Sequence, residues 1–299
     1  MNHGHDCVST HNIIRPALYV VATPIGNMED ITLRAISTLK SVDFIACEDT
    51  RTTAKLLNKF GIIKQKVAYH RFNEEKKSQE IIEKLKTPSS CALVSESGTP
   101  AISDPGARLI EKTISAGIPV FAIPGPSAVT SAFSICGWEG GFLFAGFLEK
   151  QKKKRISQIE TFASMPWAVI FFESPLRIRD TLKDMEEILG DRPAFLAKEL
   201  TKVFEFSIKA SPKEILEKLP QQVKGEIVVI IFPSSKNIQK DSNLLFSSEK
   251  LLDAIRAYKE LTDAGLKPSR AAAIISRLTG IEKDKIIKSI ISNNSTHRG

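Results

Sequence analysis

Between residues 17 and 123, short apolar runs alternate with segments of helical period, and this alternation constrains the fold more than any other feature. Runs 17–22, 44–47, 91–95 and 120–123 read as strands with no polar face, while 30–39, 52–60, 78–85 and 107–116 read as helices. Strands that are apolar on both sides must be covered on both sides, and intervening helices do that for a largely parallel sheet. Gly61 and Gly117 fall where helix C-terminal caps are expected. The fold class is therefore α/β.

At Trp138-Glu139-Gly140-Gly141 the pattern breaks, and a second series of runs follows at 142–147, 168–172, 194–199, 203–208 and 226–232. Run 203–208 follows its predecessor with no room for a helix, which predicts an antiparallel hairpin and a mixed sheet. Residues 233–246 are polar and rich in Ser, Lys and Asn, as a linker would be. Helical spacing returns at 249–262, at 269–278 between Pro268 and Gly280, and at 283–291. Three short helices with tight turns resemble a helix-turn-helix module, and a small capping bundle is the plainer alternative. The expected division is a tail at 1–16, α/β domains at 17–137 and 138–233, a linker at 234–247 and a helical module at 248–299.

The 299 residues suit about two domains, and 42% hydrophobic content suffices for buried cores. No apolar run approaches the ~20 residues of a membrane span. The first residues lack a basic segment followed by an apolar one, so the expectation is an unexported, cytoplasmic protein. Cys7, Cys47, Cys91 and Cys136 are dispersed, which predicts neither a disulfide framework nor a metal site, and His3, His5 and His11 read as part of the tail. The net charge of +8 is compatible with a polyanionic partner. One concentration of positive charge is 150–155. The other is 265–299, where seven Lys/Arg against Glu282 and Asp284 leave an excess of five. Lys152, Lys153, Lys154, Arg155, Arg270 and Arg277 are thus candidates for contact with a polyanionic partner, against the alternative of solvated helix faces.

Several strand ends carry unusual loops. Thr23-Pro24-Ile25-Gly26-Asn27 ends the first run, Ser95 to Gly106 packs two Pro, two Gly and several hydroxyls after the third, and Pro124-Gly125-Pro126-Ser127-Ala128 ends the fourth. In an open α/β sheet, ligands bind at the carboxyl ends of strands, so three such loops predict a narrow, backbone-lined crevice. Neither a dinucleotide fingerprint nor a Walker lysine is present, which disfavours a nucleotide-dependent oxidoreductase. Glu48-Asp49-Thr50-Arg51 brings two carboxylates and a guanidinium to the same edge, where Asp49 or Thr50 also suits a helix cap. In the second half, Phe171 to Pro175, Lys198 to Lys202 and Lys224-Gly225-Glu226 place charges at strand ends.

In order along the chain, these motifs resemble the tetrapyrrole methylase superfamily and, within it, the ribosomal RNA small subunit methyltransferase I family. The resemblance runs from about Leu18 to Ile231 through TPIGN, DITLRA, EDTR, FNE, SGTPAISDPG, PGPSA, GFL, FFESP, KELTK and KGE. It implies two α/β domains with S-adenosylmethionine in the cleft between them, a homodimer, and 2′-O-methylation of a cytidine in the decoding region of 16S ribosomal RNA. The superfamily's cofactor positions fall on Pro24, Gly98, Thr99, Ile102, Ser127, Ala128, Glu173 and Leu200. The sequence departs from the family at Ser95-Glu96-Ser97 (usually Ser-Asp-Ala), at Arg71 (often acidic) and at Leu176 (often His).

Methyl transfer to a hydroxyl needs alignment and a proton acceptor. Glu48, Asp49 and Arg51 from the first half and Lys198 and Glu199 from the second are the candidates to act in catalysis, with Arg51 and Lys198 alternatively holding phosphates. His70 and Asn73 are candidate substrate contacts. The rival readings are a methylase of a corrinoid or sirohaem precursor, and an RNA-binding protein without catalysis.

Overall fold

The computed structural model describes residues 13–234 and 253–279, which divide into one compact unit (13–163 and 167–232) and a second formed mainly by C-terminal helices. The first unit holds two five-stranded sheets. In the first sheet β1 (Ala17–Val21), β2 (Phe44–Cys47), β3 (Gln65–Ala68), β4 (Ser90–Val94) and β5 (Val120–Ile123) are all parallel, in the order β3-β2-β4-β1-β5. Helices α1 (Leu33–Ser41), α2 (Thr50–Lys59), α3 (Glu74–Leu85) and α4 (Ala107–Ser115) connect them.

Strand periodicity explains the double covering. Tyr19, Val21, Ile45, Cys47, Ala92 and Val94 face one core with Leu39, Leu56 and Leu57 of α1 and α2. Their neighbours Leu18, Phe44, Ala46, Cys91 and Leu93 face the other, with Ile81, Leu85 and Leu109 of α3 and α4. Alternate residues thus bury on opposite sides, which is why these runs contain no polar position. Gly61 (φ 62°) and Gly117 (φ 70°) close α2 and α4 in the left-handed conformation, their N–H groups and those of Ile62 and Ile118 taking carbonyls of the last turns.

Two elements escape the apolar pattern. Strand β3 is an edge strand with only Val67 and Ala68 apolar, and α5 (Ala128–Ile135) carries no charged face. The helix expected from residue 30 starts three residues later: Met28–Asp30 is a single 3₁₀ turn, and Thr32 caps α1 by accepting the Ala35 N–H at 3.1 Å. Helix α3 starts at Glu74, four residues before the expected apolar onset, because its first turn is solvated.

The second sheet contains β6 (Phe142–Phe147), β7 (Ala168–Glu173), β8 (Ala194–Lys198), β9 (Phe206–Ala210) and β10 (Ile227–Ile231), in the order β6-β7-β10-β8-β9. Only β6 and β7 run parallel, and β8 and β9 form the antiparallel pair expected, with β9 shifted to Phe206–Ala210. Helices α6 (Lys152–Ser164), α7 (Ile178–Leu189) and α8 (Pro212–Lys218) accompany it. Val129 and Ala132 of α5 and Cys136 just after it, with Ile25, pack against Ile170, Ala197, Val228 and Ile230, so the first half supplies part of the second sheet's core.

In the C-terminal unit, α9 (253–263) and α10 (Pro268–Thr279) meet through Ala254, Tyr258, Leu261 and Ile275. The segment expected to be helical at 283–291, the stop at Gly280, nearly all of the linker and residues 1–12 of the tail lie outside the described residues. Among the described residues no helix is long and apolar enough to cross a membrane.

Candidate active site

The loops at the carboxyl ends of β1, β4 and β5 are stitched together through backbone. Thr23 and Gly98 exchange two N–H···O=C bonds of 2.9 and 3.0 Å, and the Ser95 hydroxyl donates to the carbonyls of Ser97 and Gly98, both at 3.2 Å. The Thr99 hydroxyl donates to the Pro126 carbonyl at 3.2 Å, which ties the β4 loop to the β5 loop. Within the β4 loop Ala101 (φ 67°) and Ser103 (φ 68°) hold the left-handed conformation that side chains avoid. Each costs on the order of 1–3 kcal/mol, persists only where surroundings enforce it, and is a mark of functional loops.

The second sheet contributes loops of a different character. Glu173, at the end of β7, is buried and accepts from the Ser174 N–H (2.7 Å), the Thr181 hydroxyl (2.7 Å) and Arg177 (2.6 Å). After β8, Glu199 (φ 55°) and Thr201 (φ 66°) are again left-handed. The Lys202 ammonium bridges Glu199 (2.9 Å) and Glu226 (3.0 Å), and the Glu226 N–H donates to Glu199 at 3.1 Å. This network holds Glu199 well placed to be charged, below the ordinary carboxylate range against the effect of burial, and holds Lys202 above its own. Only glycine fits at 225, since a Cβ there would lie 2.1 Å from a Glu199 carboxylate oxygen. The first sheet meets this loop directly: the Asn27 N–H donates to the Thr201 hydroxyl at 2.9 Å, and a Cβ on Gly26 would sit 2.4 Å from Lys202 Cγ.

Between these loops lies a cavity of about 460 Å³. Ile25, Ile102, Phe147, Phe172 and Val228 give it apolar walls, and Gly98, Thr99, Ser127 and Ala128 present backbone. Its charged lining is wholly acidic: Glu48, Glu96, Asp104, Glu173 and Glu226, with no Lys, Arg or His among the described residues that line it. Burial, then the charge of Glu48, pushes the Asp104 carboxyl up to about 6, with Glu96 and Glu226 adding and the Ser95 hydroxyl opposing. Burial and Glu96 raise Glu48, while Arg71 and His70 pull it back. Like charges crowded in a half-buried space disfavour ionisation until a cation enters, so the cavity suits a positively charged ligand with an apolar and hydrogen-bonding body. No group of His, Cys, Asp or Glu among the described residues is arranged to hold a metal ion.

The expected cofactor positions Gly98, Thr99, Ile102, Ser127, Ala128 and Glu173 line this cavity. Pro24 lines a smaller neighbouring one of about 280 Å³, which shares Ile25, Glu96, Ser97 and Glu226 with it. Leu200 is buried in the core with Ile25 and lines neither. Of the catalytic candidates, Glu48 alone faces the large cavity. Asp49 caps α2 by accepting the Arg51 N–H at 2.7 Å and pairs at 3.2 Å with the Arg51 guanidinium, itself 89% exposed. Lys198 ends β8 opposite Ile227, and Glu199 is engaged by Lys202. The Asn73 side chain accepts the His70 backbone N–H at 2.9 Å, closing the turn before α3 without a side-chain bond to the helix itself.

The basic cluster divides. Lys152, Lys153 and Lys154 are exposed, and so are Arg270 and Arg277. Arg155 is 5% exposed and pairs with buried Asp184 at 2.6 Å, so it fastens α6 to α7 and presents no surface to RNA. Asp104, Glu96 and Glu226 were not among the candidates. Their signal was carboxylates inside or beside the small-residue loops, which only the convergence of those loops turns into a shared wall.

A family model for tetrapyrrole (corrin/porphyrin) methylases matches residues 17–216. The chain is 38% identical over 287 residues to a protein of Mesorhizobium japonicum named ribosomal RNA small subunit methyltransferase I, covering 95% of this chain and 94% of that one. To the protein of the same name from Thermotoga maritima it is 42% identical over 216 residues, 72% of this chain and 97% of that one. In fold it is similar to a crystal structure of diphthine synthase (TM-score 0.58, 14% identity, covering 75% of this chain and 98% of that one). It is also similar to that of uroporphyrin-III C-methyl transferase from Thermus thermophilus complexed with S-adenyl homocysteine (TM-score 0.52, 17% identity, covering 72% and 96%).

Proposed function

The chain belongs to the ribosomal RNA small subunit methyltransferase I family of the tetrapyrrole methylases, and on that premise we propose that it uses S-adenosylmethionine to methylate the 2′-hydroxyl of a cytidine in the decoding region of 16S ribosomal RNA. The observation that carries this reading is the acid-lined cavity at the strand ends. Its acidic lining suits a sulfonium and amino group, its apolar walls suit an adenine ring, and Ser127 and Ala128, at the start of α5, offer backbone hydrogen bonds along one side. When bound, the cofactor supplies a methyl group already activated by positive charge. The protein's part is to exclude water, align the acceptor oxygen and take up its proton.

The cofactor positions fall to Gly98, Thr99, Ile102, Ser127 and Ala128, with Glu173 shaping the wall from behind. We assign phosphate contacts to the exposed cations Arg51, Lys152, Lys153, Lys154, Arg270 and Arg277, and their contribution should weaken steeply with salt. The family model covers residues 17–216, which supports reading the α/β sheets as the part that does the chemistry, and we assign residues 248–299 an added grip on RNA. We take the working form to be a homodimer, to be tested by sedimentation.

The deciding experiment incubates small subunits from cells lacking this gene with the protein and labelled S-adenosylmethionine, then maps the methyl group by mass spectrometry. A single ribose-methylated cytidine in 16S RNA is expected. Label on a tetrapyrrole and none on RNA would favour the rival reading.

A further inference from the structure

The cavity holds several carboxylates, and their surroundings single one out. Glu96 is exposed, Glu226 is paired with Lys202 at 3.0 Å, and Glu48 has Arg71 and His70 on its far side. Glu173 is consumed by Arg177, Thr181 and the Ser174 N–H. Asp104 differs. The groups that face it are Glu48 from the end of β2, Glu96 from the end of β4, Glu226 before β10 and the Ser95 hydroxyl, and no cation is among them.

The backbone that presents Asp104 is also held in place. Ala101 and Ser103 before it are left-handed, and Gly106 after it (φ 141°) lies so close to Leu93 that a Cβ would be 2.9 Å from Cδ2. The Gly106 N–H donates to Glu74 at 3.1 Å, anchoring the loop to α3. A half-buried carboxylate without a counter-charge, on a loop with no freedom to withdraw it, is what a proton acceptor at neutral pH requires.

We propose that Asp104 accepts the proton of the hydroxyl that is methylated, an assignment that rests on reading this cavity as the transfer site. The acceptor oxygen's lone pair forms the bond to the methyl carbon as the carbon–sulfur bond breaks and sulfur keeps that pair. The hydroxyl proton passes to an Asp104 carboxylate oxygen and from there to water. Asp104 must be ionised to act, so activity rises with pH and then levels.

The test measures kcat/KM for small subunits across pH 5–8 with cofactor saturating, in the wild type, Asp104→Asn and Glu48→Gln. The wild type should show one acid limb at or below pH 6, below because a bound cation favours the charged carboxylate. Asp104→Asn should lose about 10²–10⁴-fold in kcat and lose the limb, while calorimetry still detects cofactor binding, which certifies the fold. Glu48→Gln should keep the limb and move it to lower pH, because a neighbouring negative charge is gone. An acid limb that survives unchanged in Asp104→Asn overturns the assignment, as does a kcat within threefold of wild type. Mapping the wild-type product separates the two claims: a methyl group on a base nitrogen would refute the ribose reading, and the same variants would still decide whether Asp104 takes the proton.

Discussion

The two walls of the cavity are built by opposite means. On the first sheet, the β1, β4 and β5 loops are joined by backbone and hydroxyl bonds, such as the Thr23–Gly98 pair and Thr99 to Pro126. On the second sheet the loops are joined by charge: Glu173 with Arg177, and Lys202 between Glu199 and Glu226. The first wall takes its shape from uncharged groups, and its carboxylates are crowded by other acids, opposed at Asp104 by the Ser95 hydroxyl and at Glu48 by Arg71 and His70. The second has its charges satisfied and acts as a clasp. Reactive groups and structural ions are thereby kept on different sides of one space.

The largest effect should come from the clasp. Glu173→Ala removes a carboxylate whose side chain is 0% exposed and leaves the Arg177 guanidinium and two donors unpaired. A loss of about 3 kcal/mol is expected in chemical denaturation; a loss below 1 kcal/mol would mean the charges are dispensable. Arg155→Ala should cost a similar amount by stranding Asp184, whereas Lys153→Ala on the same helix should cost nothing measurable.

The first wall makes the contrary prediction. Because the Asp104 carboxyl is raised to about 6 in the folded protein, the fold is penalised for its charge above that pH and not below the ordinary aspartate range. Asp104→Asn should therefore stabilise the protein at pH 8, on the order of 1–2 kcal/mol after allowance for solvent, and do nothing for it at pH 4. Equal melting shifts at both pH values would break the comparison. For Glu199 the sign reverses: its lowered carboxyl contributes stability at neutral pH that is lost as the pH falls through its folded value. Smallest of these, Ser95→Ala removes a hydroxyl shared by two carbonyls and should cost about 0.5–1.5 kcal/mol, more above pH 6 than below it because that hydroxyl also favours the charged Asp104.

How far the sequence could be read follows from where each residue's environment comes from. Strands β1, β2 and β4 are legible because burial on both faces makes nearly every position apolar, the exception being Ser90, which bonds Asp43. Strand β3, at an edge, bears no such constraint, and α5 lacks the polar face by which helices are recognised. The crevice was legible from its glycines and prolines, since those residues report backbone geometry directly. Asp104 was not, because its surroundings are assembled from Glu48, Glu96 and Glu226, far apart in the chain. Arg155 was misread for the same reason: within Lys-Lys-Lys-Arg nothing local distinguishes it, and only the packing of α6 on α7 turns it inward to Asp184. The relatives supplied what neither patterning nor geometry carries, the kind of acceptor.

An acidic crevice at the strand ends suits a cationic methyl donor. That fit is tested most directly by titrating the protein calorimetrically with S-adenosylmethionine and, separately, with the uncharged-sulfur product S-adenosylhomocysteine from pH 5 to pH 8. Affinity for the sulfonium should rise about tenfold through pH 6 as Asp104 ionises, while affinity for the product changes little. Parallel pH profiles for the two, or no binding of either, would contradict the account.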